Sequence, residues 1–341
     1  QRPQNPQPGD LRFNTDTASL EYFRGELLNW EQIEMTSPDV GISTNAAGTS
    51  GGLGARAIRG GGQTPSATDI IDYFTISTLG DAQDFGDLTL SRFGMGSGSS
   101  RTRGMFMGGA TPTRVDTIDY ITISSTGDAI DFGNMMTTNA APGASNATRA
   151  FTMAGSTPSY TNVIQYVTIA STGNMQDFGD MTLQNFESFQ ITSSPTRAVT
   201  AGGYVSPTFN NTMEYFTIST QGNSADFGDY TRDRYTPAAT GNSVRGIIAG
   251  GYTPTGQDDI DYITLAKLGT PLHFRGLLAT APGGPMGSGS DPTRACMYAT
   301  NTSSDVIQYL QIMSMGNAVD FGDLTGNSTN AGCFSNAHGG L

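Results

Sequence analysis

The sequence predicts an all-β fold, a β-propeller of four-stranded antiparallel blades, from three markers that keep one phase. The first is Asp-Phe-Gly-Asp at residues 84–87, 177–180, 226–229 and 320–323, with a close copy at Asp131-Phe132-Gly133-Asn134 and a decayed one at His273-Phe274-Arg275-Gly276. Its phenylalanines are Phe85, Phe132, Phe178, Phe227, Phe274 and Phe321, so the steps are 47, 46, 49, 47 and 47 residues. The second is a tyrosine in an apolar run ahead of each phenylalanine: Tyr73, Tyr120, Tyr166, Tyr215, Tyr262 and Tyr309. The third is an arginine leading into small and apolar residues, at Arg56, Arg103, Arg149, Arg197, Arg245 and Arg294. A period of this size marks a repeat architecture, in which each unit buries its apolar surface against its neighbours.

One repeat, residues 92–135, shows the elements in order. Arg92 to Ser99 is small and polar and reads as strand a, the innermost, where large side chains would crowd a central channel. Gly104 to Gly109 is a short apolar strand b stopped by its glycine pair. Ala110-Thr111-Pro112-Thr113 is a turn, with proline as the breaker. Ile118 to Ser124 alternates and is rich in β-branched and aromatic residues, which gives strand c. Ser125-Thr126-Gly127-Asp128 is a turn whose glycine supplies positive φ, and Ala129 to Met135 is strand d. Four short strands per period describe one propeller blade.

The bulk numbers agree. There are 45 Gly and 16 Pro, many Thr and Ser, and few of the residues that fill helices. The apolar fraction of 36 % is low, but disorder does not need regularly spaced Ile, Tyr and Phe. The net charge of −13, from 30 acidic and 17 basic residues, argues against nucleic acid or an anionic membrane as partner, since phosphate binding relies on clustered bases. Lys267 is the single lysine. Cys296 and Cys333 are too few for a disulfide framework and read as free, buried thiols. No stretch approaches the roughly 20 apolar residues of a membrane span, and none reads as a signal peptide. The chain starts at Gln1 rather than Met, which leaves a removed leader open.

Counting strands c and d gives six repeats, at 40–89, 90–135, 136–182, 183–230, 231–278 and 279–325. The ends supply a further partial set. Ser328 to Phe334 resembles one more strand a, while Leu11–Asn14, Ser19–Phe23 and Trp30–Ile33 read as strands b, c and d. The expectation is a seventh blade, 10–35 joined to 326–341, which would close the ring and leave no free sheet edge. Six blades plus a separate N-terminal hairpin is the alternative. Residues 1–9, rich in proline, suit an extended arm that docks on a neighbouring subunit.

The repeated acids and bases invite a chemical reading. Asp81, Asp84 and Asp87 recur as Asp128, Asp131 and Asn134 and as Asn174, Asp177 and Asp180, a spacing of oxygens open to Ca²⁺. Three oxygens per blade fall short of the roughly six to eight that Ca²⁺ takes, so the preferred reading is that they cap turns. No cofactor is expected. The six arginines are expected to form ion pairs or cap carbonyls between blades. His273 and His338 are the only histidines, and nothing frames a catalytic serine or a histidine-based metal site. Variation concentrates in the b–c and d–a loops, both expected on one face. Their aromatics, Tyr160, Phe186, Phe189, Tyr204, Phe209 and Tyr252, are candidate contacts for glycan or protein, or else tuck onto the blade edge.

The order Arg197, Gly202-Gly203, Tyr215, Phe227 resembles the kelch family of propellers, with Phe where kelch repeats have Trp and a longer Tyr-to-Phe gap of 12 residues. The run from Tyr166 to Asp180 looks like repeats in structural proteins of tailed phages, notably those of cyanobacteria. Gly9 to Thr17, Leu20-Glu21-Tyr22 and Trp30 resemble segments of phage tail proteins. The resemblance implies a non-enzymatic virion component for assembly or host-surface recognition. Its implied partners are other virion proteins, a host glycan or a host protein, without nucleic acid or membrane insertion. A cellular or secreted kelch-like interaction protein and a carbohydrate-active enzyme are the alternatives.

Overall fold

The computed structural model is an all-β ring of six blades. It describes residues 6–8, 10–14, 19–23, 30–32, 54–137, 142–157, 159–183, 186–187, 189–205, 208–230, 232–234, 236–253, 255–278, 286–299, 305–314 and 316–341. Blade 2 runs from inside to outside as Gly96–Ser99, Arg103–Met107, Thr117–Thr122 and Ile130–Asn134. Blades 3 to 6 repeat this order. Their inner strands are Gly143–Ser145, Gln190–Ser193, Ala238–Gly241 and Met286–Ser290, and their outer strands Gln176–Asp180, Ala225–Asp229, Leu272–Leu277 and Val319–Asp323.

Blade 1 corrects the expected count. Its outer three strands are Arg56–Gly60, Ile70–Thr75 and Gln83–Asp87, and its inner strand is Gly332–Ser335 from the far end of the sequence. Gly332 pairs with Gly60 and Ser335 with Ala57. The C-terminal strand therefore does close the ring, but onto the first repeat rather than onto residues 10–35. Leu11–Asn14, Ser19–Phe23 and Trp30–Gln32 form their own three-stranded antiparallel sheet within a separate unit, Gln1–Ser43. The proposed arm, 1–9, lies mostly outside the described residues.

Each blade is sandwiched between two others, so its strands bury both faces. In Thr117–Thr122, Ile118, Asp119 and Ile121 are all buried. Six separate apolar clusters result, one per blade interface. Every repeat Phe is buried, and each meets the Tyr of its own blade edge-on, with centroids 5.6 to 6.2 Å apart. Such pairs add about 0.5–1.5 kcal/mol beyond area burial.

The arginines form the second circuit. Each guanidinium lies over the ring of its own blade's Tyr, from 4.2 Å at Arg245 to 5.0 Å at Arg149 and Arg294. Each then donates through Nη1 to a carbonyl of the following blade: Arg56 to Ile123, Arg103 to Ile169, Arg149 to Ile218, Arg197 to Leu265, Arg245 to Ile312 and Arg294 to Ile76, at 2.7–2.9 Å. The last bond links blade 6 to blade 1. Of the two roles expected for these residues, carbonyl capping is the one seen.

Outer strands are protected in the same sense of rotation. The c–d turn of each following blade covers the edge: Gly127 N–H donates to the Phe85 carbonyl (2.7 Å) and Ala129 N–H to the Asp87 carbonyl (2.8 Å). The turn carboxylate or amide completes the cap. Asp128 Oδ1 accepts from Asp87 N–H (3.1 Å), and Asn174, Asn223, Asn317 and Asp81 do the same for Asn134, Asp180, Leu277 and Asp323. Covered edges remove the template for strand addition.

Candidate interaction surface

The polar residues of the sequence divide into those the ring consumes and those it leaves outside. One consumed set went unread in the sequence: the residue just before each repeat Tyr. Asp72, Asp119, Gln165, Glu214, Asp261 and Gln308 are all buried. They anchor the d–a segment that arrives from the preceding blade. Asp119 accepts from Thr89 N–H (3.1 Å) and Oγ1 (2.7 Å), Gln165 Oε1 from Met136 N–H (2.8 Å), and Glu214 from Thr182 and from Leu183 N–H (2.8 Å).

A buried carboxylate needs a partner charge or several donors. Asp72 pairs with Arg59 (2.6 Å), Asp119 with Arg92 (3.1 Å) and Asp261 with Arg234 (2.9 Å). Burial lowers the pKa of the Arg92 guanidinium, and Asp119 opposes that shift. Burial likewise raises Asp261, with Arg234 acting against it. The signal available in the sequence was a polar residue ahead of every Tyr. Arg92 and Arg234 each follow the last residue of the preceding outer strand by five positions, a match visible only once the strands are placed.

The inner strands surround a cavity of about 90 Å³, lined by Ser97, Ser145, Thr192, Thr240, Ser288 and Ser335 among other small residues. Their hydroxyls link strand to strand. Ser99 Oγ donates to the Ser335 carbonyl (2.8 Å), Ser335 Oγ to Ser290 (2.7 Å) and Ser193 Oγ to Ser145 (3.0 Å).

Beyond the closing strand, Asn336 stays with blade 1, accepting from Arg56 N–H (2.8 Å), and His338 to Gly340 pack against blades 2 to 5 at this cavity. His338 Nε2 lies 3.0 Å from Ser145 Oγ and 3.2 Å from the Ser99 carbonyl, while its Nδ1 accepts from Gly340 N–H (3.1 Å). That last bond assigns the hydrogen to Nε2, which makes the ring a donor toward the Ser99 carbonyl and Ser145 Oγ. In this tautomer Nε2 has no lone pair with which to take a proton from the serine, so the contact is structural in character. Burial pushes the His338 pKa down to about 4.

Both cysteines are free. Cys296 is buried and Cys333 half-buried, and burial raises both thiols, Cys333 to about 12. Neither is a poised nucleophile at neutral pH.

The b–c and d–a segments hydrogen-bond to one another, which places them on one face. Phe93 pairs with Ala110, Gln63 with Thr329, and Phe186–Glu187 with Tyr204–Val205. Of the candidate aromatics, Tyr160 is exposed, and Tyr204 and Tyr252 are half-buried. Tyr204–Val205 pairs with Thr208–Phe209 as a short hairpin, which brings Phe186, Tyr204 and Phe209 into one small sheet by backbone position. The side chains of Phe186 and Phe209 lie outside the described residues. Phe189 is different: at 1 % exposure it sits in the core of the blade 3–4 interface with Phe151 and Ile191. It precedes strand Gln190–Ser193 directly and turns inward with it, so it is no surface contact.

The outer rim is acidic. Burial, then Asp69, Asp128 and Asp84, hold Asp87 above its ordinary value, and burial, then Asp305, Asp81 and Asp320, do so for Asp323. Among the described residues, no three His, Cys, Asp or Glu side chains are grouped to hold a metal. No described helix is long and apolar enough to cross a membrane. No family model matches the chain, and no curated protein matches it.

Proposed function

We propose that this protein is a non-enzymatic, kelch-like propeller module of a tailed-phage virion, used for assembly or for recognition of the host surface. The observation that carries the non-catalytic part is where the repeated polar groups go. The six arginines, the turn Asp and Asn residues and the buried Asp, Glu and Gln of strand c have partners inside the ring. What differs between blades is outside: the loop-face hairpins and the outer rim. A rigid frame with variable surface is how propellers are used for binding. The virion assignment rests on the resemblance of Tyr166–Asp180 and of the N-terminal segment to phage structural proteins.

The test is mass spectrometry and cryo-EM of purified particles. Stoichiometric recovery with intact particles, and density for a six-bladed ring on the tail, fibre or capsid, supports the assignment. A loop face turned outward favours host recognition; one seated on a neighbour favours assembly. A free pool absent from particles refutes the virion reading. Glycan-array binding and hydrolysis assays would then separate an interaction protein from a carbohydrate-active enzyme.

A further inference from the structure

Blade 5 differs from the others on its outer rim, and every change runs the same way. From the c–d turn through the outer strand, the other five blades each carry two or three aspartates and no base. Blade 5 reads Ala266-Lys267-Leu268-Gly269-Thr270-Pro271-Leu272-His273-Phe274-Arg275-Gly276-Leu277, with two bases and no acid. The structure corrects the apparent decay of this repeat. Leu277, not Gly276, takes the place of the terminal aspartate: its N–H donates to Asn317 Oδ1 (3.1 Å), as Asp87 N–H does to Asp128. Arg275 is therefore an inserted residue, and the strand is six residues long where the other outer strands have five. The insertion leaves the ring intact, because Phe274 stays buried and Ala318 N–H still caps the Leu277 carbonyl (2.9 Å).

The result is an exposed apolar strip with positive charge. Leu268 is 50 % exposed, Leu272 59 % and Leu277 44 %, and Lys267 is exposed beside them. None of these residues serves an interior role that explains the substitution. The partner such a strip fits is apolar and acidic, and that surface is present on the protein itself. On blade 2, Ile130 is 58 % exposed between the exposed Asp128 and Asp131. Among the described outer strands of the other five blades, the exposed large aliphatics are Ile130 and Val319, and only Ile130 has an aspartate both two positions before it and one after, where Val319 has Asn317 and Asp320. Blades 2 and 5 stand three steps apart in a ring of six, on opposite sides.

We infer that the rim of blade 5 docks on the rim of blade 2 of a second copy, Leu268 and Leu272 against Ile130 and Lys267 against Asp128 and Asp131. The two surfaces differ, so the contact is heterologous, and their opposed placement lets it propagate from copy to copy. Apolar contact flanked by complementary charge is the usual anatomy of such an interface, and its charged part weakens with salt. The inference is independent of the virion reading, because it holds or fails with purified protein.

The experiment is sedimentation velocity of the full chain and two variants, Leu272→Asp and Ile130→Arg, across a wide concentration range. Both sites are exposed, and thermal melts establish that the variants keep the fold. Wild type is expected to form species larger than a dimer that dissociate as salt rises. Each variant alone is expected to remain monomeric. Mixed, they are expected to give a one-to-one pair and nothing larger, since the Leu272 variant keeps a sound blade 2 and the Ile130 variant a sound blade 5. A wild type that stays monomeric throughout overturns the inference. So does a mixture that fails to pair, which would mark any self-association as using another surface.

Discussion

Replacing Arg197 by Met removes the guanidinium while keeping most of the apolar stem, and the structure sets the size of the loss. The Leu265 carbonyl loses a charge-assisted hydrogen bond of 2.9 Å, worth about 1.5–3 kcal/mol for a charged donor. The Tyr215 ring loses a cation 4.4 Å from its centroid, worth about 0.5–1 kcal/mol at a site that is partly solvated. The expected destabilisation is about 2–4 kcal/mol. Arg103 has matching partners, Tyr120 at 4.4 Å and the Ile169 carbonyl at 2.7 Å, so Arg103→Met is expected to cost the same. Urea unfolding followed by tyrosine fluorescence gives both values, and a double-mutant cycle of Arg197→Met with Tyr215→Leu isolates the ring contribution. A loss below about 0.5 kcal/mol at either site, the scale of an ordinary surface change, would refute the claim that these arginines hold blade to blade.

Three other outcomes follow from the same interfaces. Gly133 has φ of +146°, and a β-carbon there would lie 2.5 Å from the Gly173 carbonyl oxygen, whereas one at Gly127, with φ of +147°, meets nothing within 4 Å. Gly133→Ala is therefore expected to lower the melting temperature well beyond Gly127→Ala, which carries only the conformational strain of about 1 kcal/mol. His338 is neutral in the fold with its pKa lowered to about 4 against an ordinary 6.5, so the unfolded chain binds the extra proton. Its contribution is complete above about pH 6.5 and is lost as pH falls toward 4, amounting to about 3 kcal/mol. The wild-type-minus-His338→Asn difference in urea stability, measured from pH 7 to pH 4, is expected to shrink by that amount. Deleting residues 332–341 strips the inner strand from blade 1 and bares the edge of Arg56–Gly60, and light scattering at high salt, where the rim contact between copies is released, is expected to show aggregation of the truncated chain and none of the full chain.

The repeat was legible because each marker has a local cause that recurs. Tyr and Phe sit on strands c and d, Arg begins strand b, and Gly ends turns, so three independent chemistries gave one phase. Blade number was not legible in the same way. Leu11–Asn14, Ser19–Phe23 and Trp30–Gln32 do form strands, and local pattern cannot say which sheet a strand joins. That choice belonged to residues far apart in the chain, such as Ser335 pairing with Ala57 and Phe106 packing 5.1 Å from Phe334. The buried acids escaped notice for a related reason. In the alternating pattern of strand c Asp119 has no visible partner until the d–a segment arriving from the preceding blade, with Thr89 and Arg92, is set against it. For Phe189 the sequence leaves surface contact and inward packing both open, because a loop residue adjacent to a strand can take the strand's inward direction, and the structure selects the inward one.

Because the Arg294 bond to Ile76 completes the circuit, the array has no terminal repeat. An open stack of repeats frays from its ends, one nearest-neighbour contact at a time. Here the first blade to leave must part from two neighbours at once, and only afterwards does the remainder have ends to fray. The barrier to unfolding is thus concentrated in a single opening event. Persistence under mechanical load or protease is then governed by the rate of that event more than by the equilibrium stability of any one blade.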